Sequence, residues 1–161
     1  LDVLDRAGID AYARKEMHRA PRASEPEAKY RAVLDRWRQN LQSAIDARRV
    51  IAALPVELFA VQFADVAFVG VNAELFSHFT EHLRRDTGRR VFTIGYANGN
   101  LGYLCPRAAY AEGGYEVEAA HVYYGGYRFK AGAFETLVEH AAGLLRRELP
   151  ECANRTAVAS A

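Results

Sequence analysis

The strongest constraint on the fold is a short, nearly continuous apolar run, Val66-Ala67-Phe68-Val69, inside the segment Asp65–Val71. A run this short predicts a β-strand, and apolar side chains at successive positions predict a strand buried on both faces. A second β-rich segment, Val56–Phe63, precedes it across the tight-turn pair Ala64-Asp65. Together the two segments predict a hairpin whose second strand is buried.

A helix and a further strand follow this hairpin. The helix is expected to open at Asn72 or Ala73 and to run to about Asp86, where Gly88 ends it. The segment Arg90–Tyr96 then predicts another strand. Strand, helix and strand form a βαβ unit, so part of the sheet is expected to be parallel. The predicted fold class is α/β, a mixed sheet flanked by helices.

Helical patterns stand at both ends of the chain. Leu1–Arg19 predicts one helix, and a capping box formed by Ser24 and Glu27 predicts a second one that ends near residue 49. Trp37 lies on the apolar side of that helix and is expected to anchor it to a core. Ala131–Leu149 predicts a final amphipathic helix.

The length of 161 residues fits one domain. Within it we expect a helical N-terminal extension at 1–50, an α/β part at 56–149 and a tail at 151–161. Because the sequence begins with Leu1 rather than Met, its true start is expected to lie upstream. No signal peptide is visible, so the sequence assigns no compartment.

Charge and cysteine usage exclude several classes of protein. The net charge of +1 provides no overall field that would attract nucleic acid or an anionic membrane. Two cysteines without a C-x-x-C pair argue against a disulfide scaffold and against a thiolate zinc site. No apolar run approaches the ~20 residues of a transmembrane span.

Polar and aromatic residues gather after the predicted strands. Glu74 follows the buried strand, at the edge where α/β sheets bind ligands, although a carboxylate near a helix N-terminus can also be purely structural. Seven of the nine tyrosines lie between Tyr96 and Tyr127. Tyrosines on Gly-rich loops predict a pocket wall, or else a rigid loop packed by its own aromatics. Tyr115–Glu118 and Val122–Tyr124 are predicted to be short strands.

A short sequence pattern indicates a second candidate metal site. His78, Glu81 and His82 match H-x-x-E-H, the inverted zinc-peptidase motif. On the predicted helix, Glu74 would share their face and could join a metal site. A solvated polar face explains the same residues without chemistry. His18, His121 and His140 are isolated and are expected to be structural or exposed.

Several of these segments, taken together, resemble a known enzyme family. They are Asn72-Ala-Glu74-Leu-Phe76, Tyr96-Ala-Asn98-Gly-Asn-Leu-Gly-Tyr103, Tyr110 and Gly-Gly-Tyr115-Glu116. In this order, after a buried strand, they are similar to the later part of the catalytic domain of neutral/alkaline non-lysosomal ceramidases, especially the short bacterial relatives. The resemblance covers roughly residues 56–149.

The resemblance implies a zinc-dependent amide hydrolase acting on an N-acyl amide such as ceramide or a related lipid amide. It implies that Glu74 and Tyr103 are zinc ligands, that Tyr115 donates a hydrogen bond to the substrate carbonyl, and that Asn98 and Glu116 bind substrate. The family has Pro-Gly before this glutamate, where this chain has Asn72 and Ala73.

The family's two zinc histidines and its catalytic serine lie upstream, and no segment here resembles them. The chain is therefore expected to be the C-terminal part of a larger catalytic domain, with the upstream part of the same polypeptide as its partner. Two alternatives stay open. One is a zinc peptidase built on the H-x-x-E-H helix, and the other is a non-catalytic sugar- or lipid-binding module with tyrosine-lined loops.

Overall fold

A computed structural model describes residues 1–18 and 27–147 of the chain. The helices within these residues are α1 (Arg6–Met17), α2 (Glu27–Asp46), α3 (His78–Thr87), α4 (Arg107–Glu112), α5 (Tyr115–Glu118), α6 (Ala120–Tyr123) and α7 (Ala133–Arg146). The strands are β1 (Leu58–Phe63), β2 (Val66–Val71), β3 (Glu74–Leu75), β4 (Arg90–Ile94) and β5 (Tyr103–Leu104). The predicted capping box at Ser24 and the predicted tail at 151–161 lie outside the described residues.

The main sheet has three strands in the order β1-β2-β4. β1 and β2 form the predicted antiparallel hairpin, and Ala64 takes a positive φ of 52° in its turn. β2 pairs with β4 in parallel, from Val66 opposite Arg90 to Gly70 opposite Ile94. The α/β fold with a small mixed sheet and a βαβ unit is therefore confirmed.

One face of this sheet carries the larger hydrophobic core. Side chains of β2 and β4 on this face pack against α3 and α7. The buried residues on the strands are Ala67, Val69, Val71 and Val91, and those on the helices include Phe79, Leu83, Phe134, Leu137 and Val138. The alternation of side chains along β2 and β4 puts every second residue into this core.

The opposite face of the sheet is apolar and exposed. Phe63 is 70% exposed and Phe92 48%, and the Phe68 and Phe92 rings stack at a centroid distance of 5.8 Å. Val61 and Ile94 are exposed on the same face. The prediction that β2 is buried on both faces is therefore wrong for this chain, since α3 and α7 cover only one of them.

The N-terminal helices form a second core against α6. Trp37 is 1% exposed, and its indole N–H donates to the Gly126 carbonyl at 2.8 Å. It packs with apolar residues of α1, α2 and the segment around α6, namely Ile9, Ala13, Leu34, Leu41, Val122 and Tyr127. The predicted anchoring role of Trp37 is confirmed.

Three local predictions are corrected. α3 begins at His78 rather than at Asn72 or Ala73, because Glu74 is held in β3 by pairing with Tyr103. Tyr115–Glu118 is a helix, and the predicted strand Val122–Tyr124 instead overlaps α6. Their β-branched and aromatic composition favours strands, but packing overrides such short-range preferences.

In the part of the chain that the structure describes, no helix is long and apolar enough to span a membrane.

His121, on α6, is a half-buried titratable group beside the second core. Its ring lies 5.1 Å from that of Tyr12 and 5.8 Å from that of Trp37, centroid to centroid. Burial, with a smaller contribution from Arg128, lowers the pKa of the imidazole to about 4. The folded protein therefore keeps His121 neutral at pH values where an unfolded histidine, with a pKa of about 6.5, takes up a proton.

We expect acid to destabilise the fold through His121. Because its pKa is lower in the folded state, the unfolded chain binds the additional proton, and the free energy of unfolding falls as pH drops from about 6.5 towards 4. The full difference between the two pKa values of His121 corresponds to a loss of ~3 kcal/mol in the free energy of unfolding. Urea unfolding at about pH 7 and about pH 4.5 measures the loss. His121→Gln should show a smaller loss than His140→Gln, which changes an exposed histidine of α7. Equal acid sensitivity in the two variants would contradict this.

Candidate functional site

Two chain segments meet where β2 and β4 end. The two strands are parallel, so the residues that follow them emerge at the same edge of the sheet. The Tyr96 N–H donates to the Ala73 carbonyl at 3.0 Å, and the Glu74 N–H donates to the Gly102 carbonyl at 2.9 Å. These bonds continue into the parallel pair β3–β5, in which Glu74 lies opposite Tyr103.

The Glu74 carboxylate is the centre of this site. It is 8% exposed, which is rare for a carboxylate unless partners satisfy its oxygens. Tyr96 and Tyr103 belong to its surroundings, because interaction with Glu74 is the first cause that raises the pKa of each phenol. The Asn100 amide Nδ2 lies 3.4 Å from Glu74 Oε1. Three side chains from one loop therefore converge on one buried carboxylate.

The carboxylate also changes the acidity of its two phenol partners. Hydrogen bonding to Glu74, followed by burial, raises the pKa of Tyr103 far above its usual value. The same hydrogen-bond effect raises the pKa of Tyr96. Both phenols therefore stay protonated as donors in this arrangement. A bound cation would reverse that preference, because its charge favours the deprotonated ligand.

Tyr115 is the third predicted site residue that the fold brings to this position. It begins α5, directly after Gly113 and Gly114, which have φ values of 75° and 106°. Its ring lies edge-on to that of Tyr103, with centroids 6.1 Å apart. Glu74, Tyr103 and Tyr115 thus form one cluster, although Tyr115 reaches it from a helix and not from the predicted strand.

The two predicted substrate-binding residues lie at the margins of this cluster. Asn98 is exposed and has a φ of 63°, in the turn that leaves β4. Glu116 is half-buried and faces the cavity described below, where it adds to the effect of burial in raising the pKa of the Cys105 thiol to about 12. The contacts to Glu74 come instead from Tyr96, Asn100 and Tyr103, which lie on the same loop as Asn98.

Sequence reasoning missed Tyr96 and Asn100 as partners of Glu74. Both belong to the Gly95–Tyr103 segment, in which family spacing drew attention to Asn98 instead. Only the three-dimensional path of the loop distinguishes Asn98 from Asn100. Asn98 sits at the outer turn, whereas the Asn100 side chain also accepts from the Gly102 N–H at 2.9 Å. This contact holds the Asn100 side chain beside Glu74.

The turn that carries Tyr96 has an unusual backbone. Tyr96 has a φ of 59°, as Asn98 does in the same turn with 63°. The left-handed conformation costs a non-glycine residue roughly 1–2 kcal/mol. The backbone bond from Tyr96 to Ala73 and another from the Ala97 N–H to the Val71 carbonyl, at 2.9 Å, hold the turn in place. Such strain beside a convergent polar cluster is a feature of functional sites.

A mostly apolar cavity of about 350 Å³ adjoins the cluster. It lies between α2, the segment after it, the loop after β4 and α5. Its lining includes Leu41, Ile51, Leu101, Tyr103, Glu116 and Val117. Tyr103 belongs to both the cavity wall and the Glu74 cluster, so a molecule in the cavity would contact the site directly.

The H-x-x-E-H residues lie elsewhere. His78, Glu81 and His82 are on α3, and the His82 ring packs edge-on against Phe134 at 5.9 Å. Glu74 belongs to β3 and does not share the helical face predicted for it. Across residues 1–18 and 27–147, no group of three or more His, Cys, Asp or Glu side chains is arranged to hold a metal.

Comparison with known proteins adds no relative: no protein-family model, curated protein or solved structure matches this chain.

The site predicts a strong effect of substituting Gly102. Its φ is 94°, and a Cβ there would lie 3.0 Å from the Tyr124 ring, so Gly102→Ala should lower the free energy of unfolding by about 1–3 kcal/mol. Gly126→Ala is the matched control, because a Cβ there meets no described heavy atom within 4 Å. Urea unfolding compares the two variants. Equal stability would show that the loop before Tyr103 tolerates a side chain.

Proposed function

We propose that this chain is the C-terminal part of a ceramidase-like, zinc-dependent amide hydrolase that cleaves an N-acyl amide, with ceramide or a related lipid amide as substrate. The observation that carries the proposal is the pairing of Glu74 with Tyr103 on adjacent parallel strands, with the Tyr115 ring beside them. These are the three residues that the family resemblance assigns to zinc and to the substrate carbonyl.

Glu74 and Tyr103 would hold the zinc ion through oxygen. A zinc site requires three or four protein ligands, usually with nitrogen or sulfur among them, so these two oxygens fit half of such a site. When bound, zinc supplies Lewis-acid polarisation of the amide carbonyl. Tyr115 would donate a hydrogen bond to the carbonyl oxygen as negative charge develops on it. Asn98 and Glu116 would bind the rest of the substrate.

The cavity supports a substrate with an apolar chain. Its mostly apolar walls reach Tyr103, so an aliphatic group bound there would place an attached amide near the Glu74 cluster. Polar groups at one end and apolar walls at the other are typical of sites for amphipathic small molecules.

The remaining zinc ligands and the nucleophile would come from the upstream part of the same polypeptide, so the chain alone would be inactive. The exposed apolar face of the sheet supports such a partner. Phe92 and Ile94 lie on that face, and β4 leads from them directly to Tyr96 beside Glu74. A group of neighbouring exposed apolar side chains on a sheet is typical of an interaction surface.

Zinc content tests the proposal. We expect stoichiometric zinc in the product of the complete reading frame and little in residues 1–161 alone. In the complete product, Glu74→Ala and Tyr103→Phe should each lower zinc occupancy, because each removes one oxygen ligand. The control is the double variant His78→Ala with His82→Ala, which should retain zinc. Elemental analysis after gel filtration measures all of these.

Unchanged zinc content in both the Glu74 and the Tyr103 variants would refute the assignment. Stoichiometric zinc in residues 1–161 alone, lost with His78 and His82, would favour the peptidase alternative. Absence of zinc from every preparation would favour a binding module without metal. The exposed rings of Tyr96 and Tyr123 are the observation that supports this last alternative.

A further inference from the structure

A second and larger cavity lies beside the hydrophobic core of the sheet. It is an open groove of about 680 Å³ between α7 and the segment that leads into β1. Most of the side chains that line it are apolar, among them Val56, Leu58, Leu104, Leu137 and Leu144. Volumes of roughly 300–1,000 Å³ with mostly apolar walls are typical of sites for small molecules.

The groove and the cavity beside Tyr103 share part of their walls. Leu1, Leu54 and Phe129 line both of them. All three side chains are apolar, so an aliphatic chain that extends from one space into the other would meet no polar group of the shared wall. Together the two spaces extend from the ring of Tyr103 to α7.

Gly143 keeps the groove open on the side of α7. It belongs to this helix, where glycine is less favourable than alanine. A Cβ at Gly143 would meet no described heavy atom within 4 Å, so the packing of the helix does not require a glycine here. Because Gly143 lines the groove, a larger side chain at this position would occupy the groove itself.

We propose that the groove binds the distal part of the aliphatic chain of an N-acyl amide whose polar head group lies beside Tyr103. The amide head group rests on the proposed function, whereas the chain site rests on the two adjoining cavities. Asn100 and Glu116 line the first cavity near Tyr103 and give the head group polar surroundings. Each methylene that the apolar walls bury should strengthen binding by roughly fourfold. The property that this site selects is therefore the length of the chain.

Binding of a series of primary amides to residues 1–161 tests the proposal without zinc or hydrolysis. Equilibrium dialysis gives the dissociation constants of hexanamide, nonanamide and dodecanamide. The wild type should bind each longer amide more tightly. Gly143→Leu should bind dodecanamide about tenfold or more weakly than the wild type does, because the new side chain fills the groove, and should bind hexanamide equally well. The matched control is Arg146→Leu, which adds the same side chain to α7 outside the groove and should leave all three constants unchanged.

Equal affinity of the wild type and Gly143→Leu for dodecanamide overturns the proposal, as does a wild type that binds no amide or gains no affinity with chain length. Gel filtration provides a second readout. A wild-type dimer that Gly143→Leu converts to a monomer would assign the groove to a second copy of the chain and overturn the chain site. If the dependence on chain length holds while zinc content does not respond to the Glu74 and Tyr103 variants, the proposed function fails and the chain site stands.

Discussion

The parallel pairing of β2 with β4 determines where the candidate site can form. Parallel strands end at the same edge, so the segment after β2 and the loop after β4 leave the sheet as neighbours. Backbone hydrogen bonds from Tyr96 to Ala73, from Leu101 to Asn72 and from Glu74 to Gly102 join them. Glu74 and Tyr103 become opposite residues of a second parallel pair. An antiparallel arrangement of β2 and β4 would send the two segments to opposite edges and would separate these side chains.

Burial of the Glu74 carboxylate makes the loop after β4 both a source of its partners and a wall of the candidate site. An ionised carboxylate removed from water without partners costs several kcal/mol. The donors from Tyr96, Asn100 and Tyr103 offset that cost, and all three lie on the loop that would also bind the substrate. Because the donors are phenols and an amide, the carboxylate is satisfied without a counter-charge. It therefore keeps its attraction for a cation.

The sequence predicts the main sheet well because its evidence is local. The apolar run in β2, the turn at Ala64 and the Gly88 helix end each depend on a few neighbouring residues, and the structure confirms the hairpin, the βαβ unit and the end of α3. The start of α3 was misplaced because pairing of Glu74 with Tyr103, distant in sequence, extends the chain there.

The site itself was only partly predictable. The family resemblance selected Glu74, Tyr103 and Tyr115 by spacing, and the fold brings them together. It could not separate Asn98 from Asn100, because both follow the same strand and only the three-dimensional path of the loop distinguishes them. The exposure of one face of the sheet was also not predicted. An apolar strand sequence does not show which faces of the strand the helices of this chain cover.

The helical N-terminal part is structurally continuous with the site. Rings follow one another from α2 to the cluster, with centroid distances of 6.2 Å from Tyr30 to Tyr123, 6.0 Å from Tyr123 to Tyr115 and 6.1 Å from Tyr115 to Tyr103. The Trp37 indole holds the Gly126 carbonyl just beyond α6. Tyr115 therefore lies in a row of rings that connects α2 with Tyr103. Packing in a close-packed interior transmits displacement, so a change in α2 would alter the geometry at Glu74 without touching it. Helices α1 and α2 thus share a hydrophobic core with the segment around α6, although sequence patterning divides the two parts of the chain.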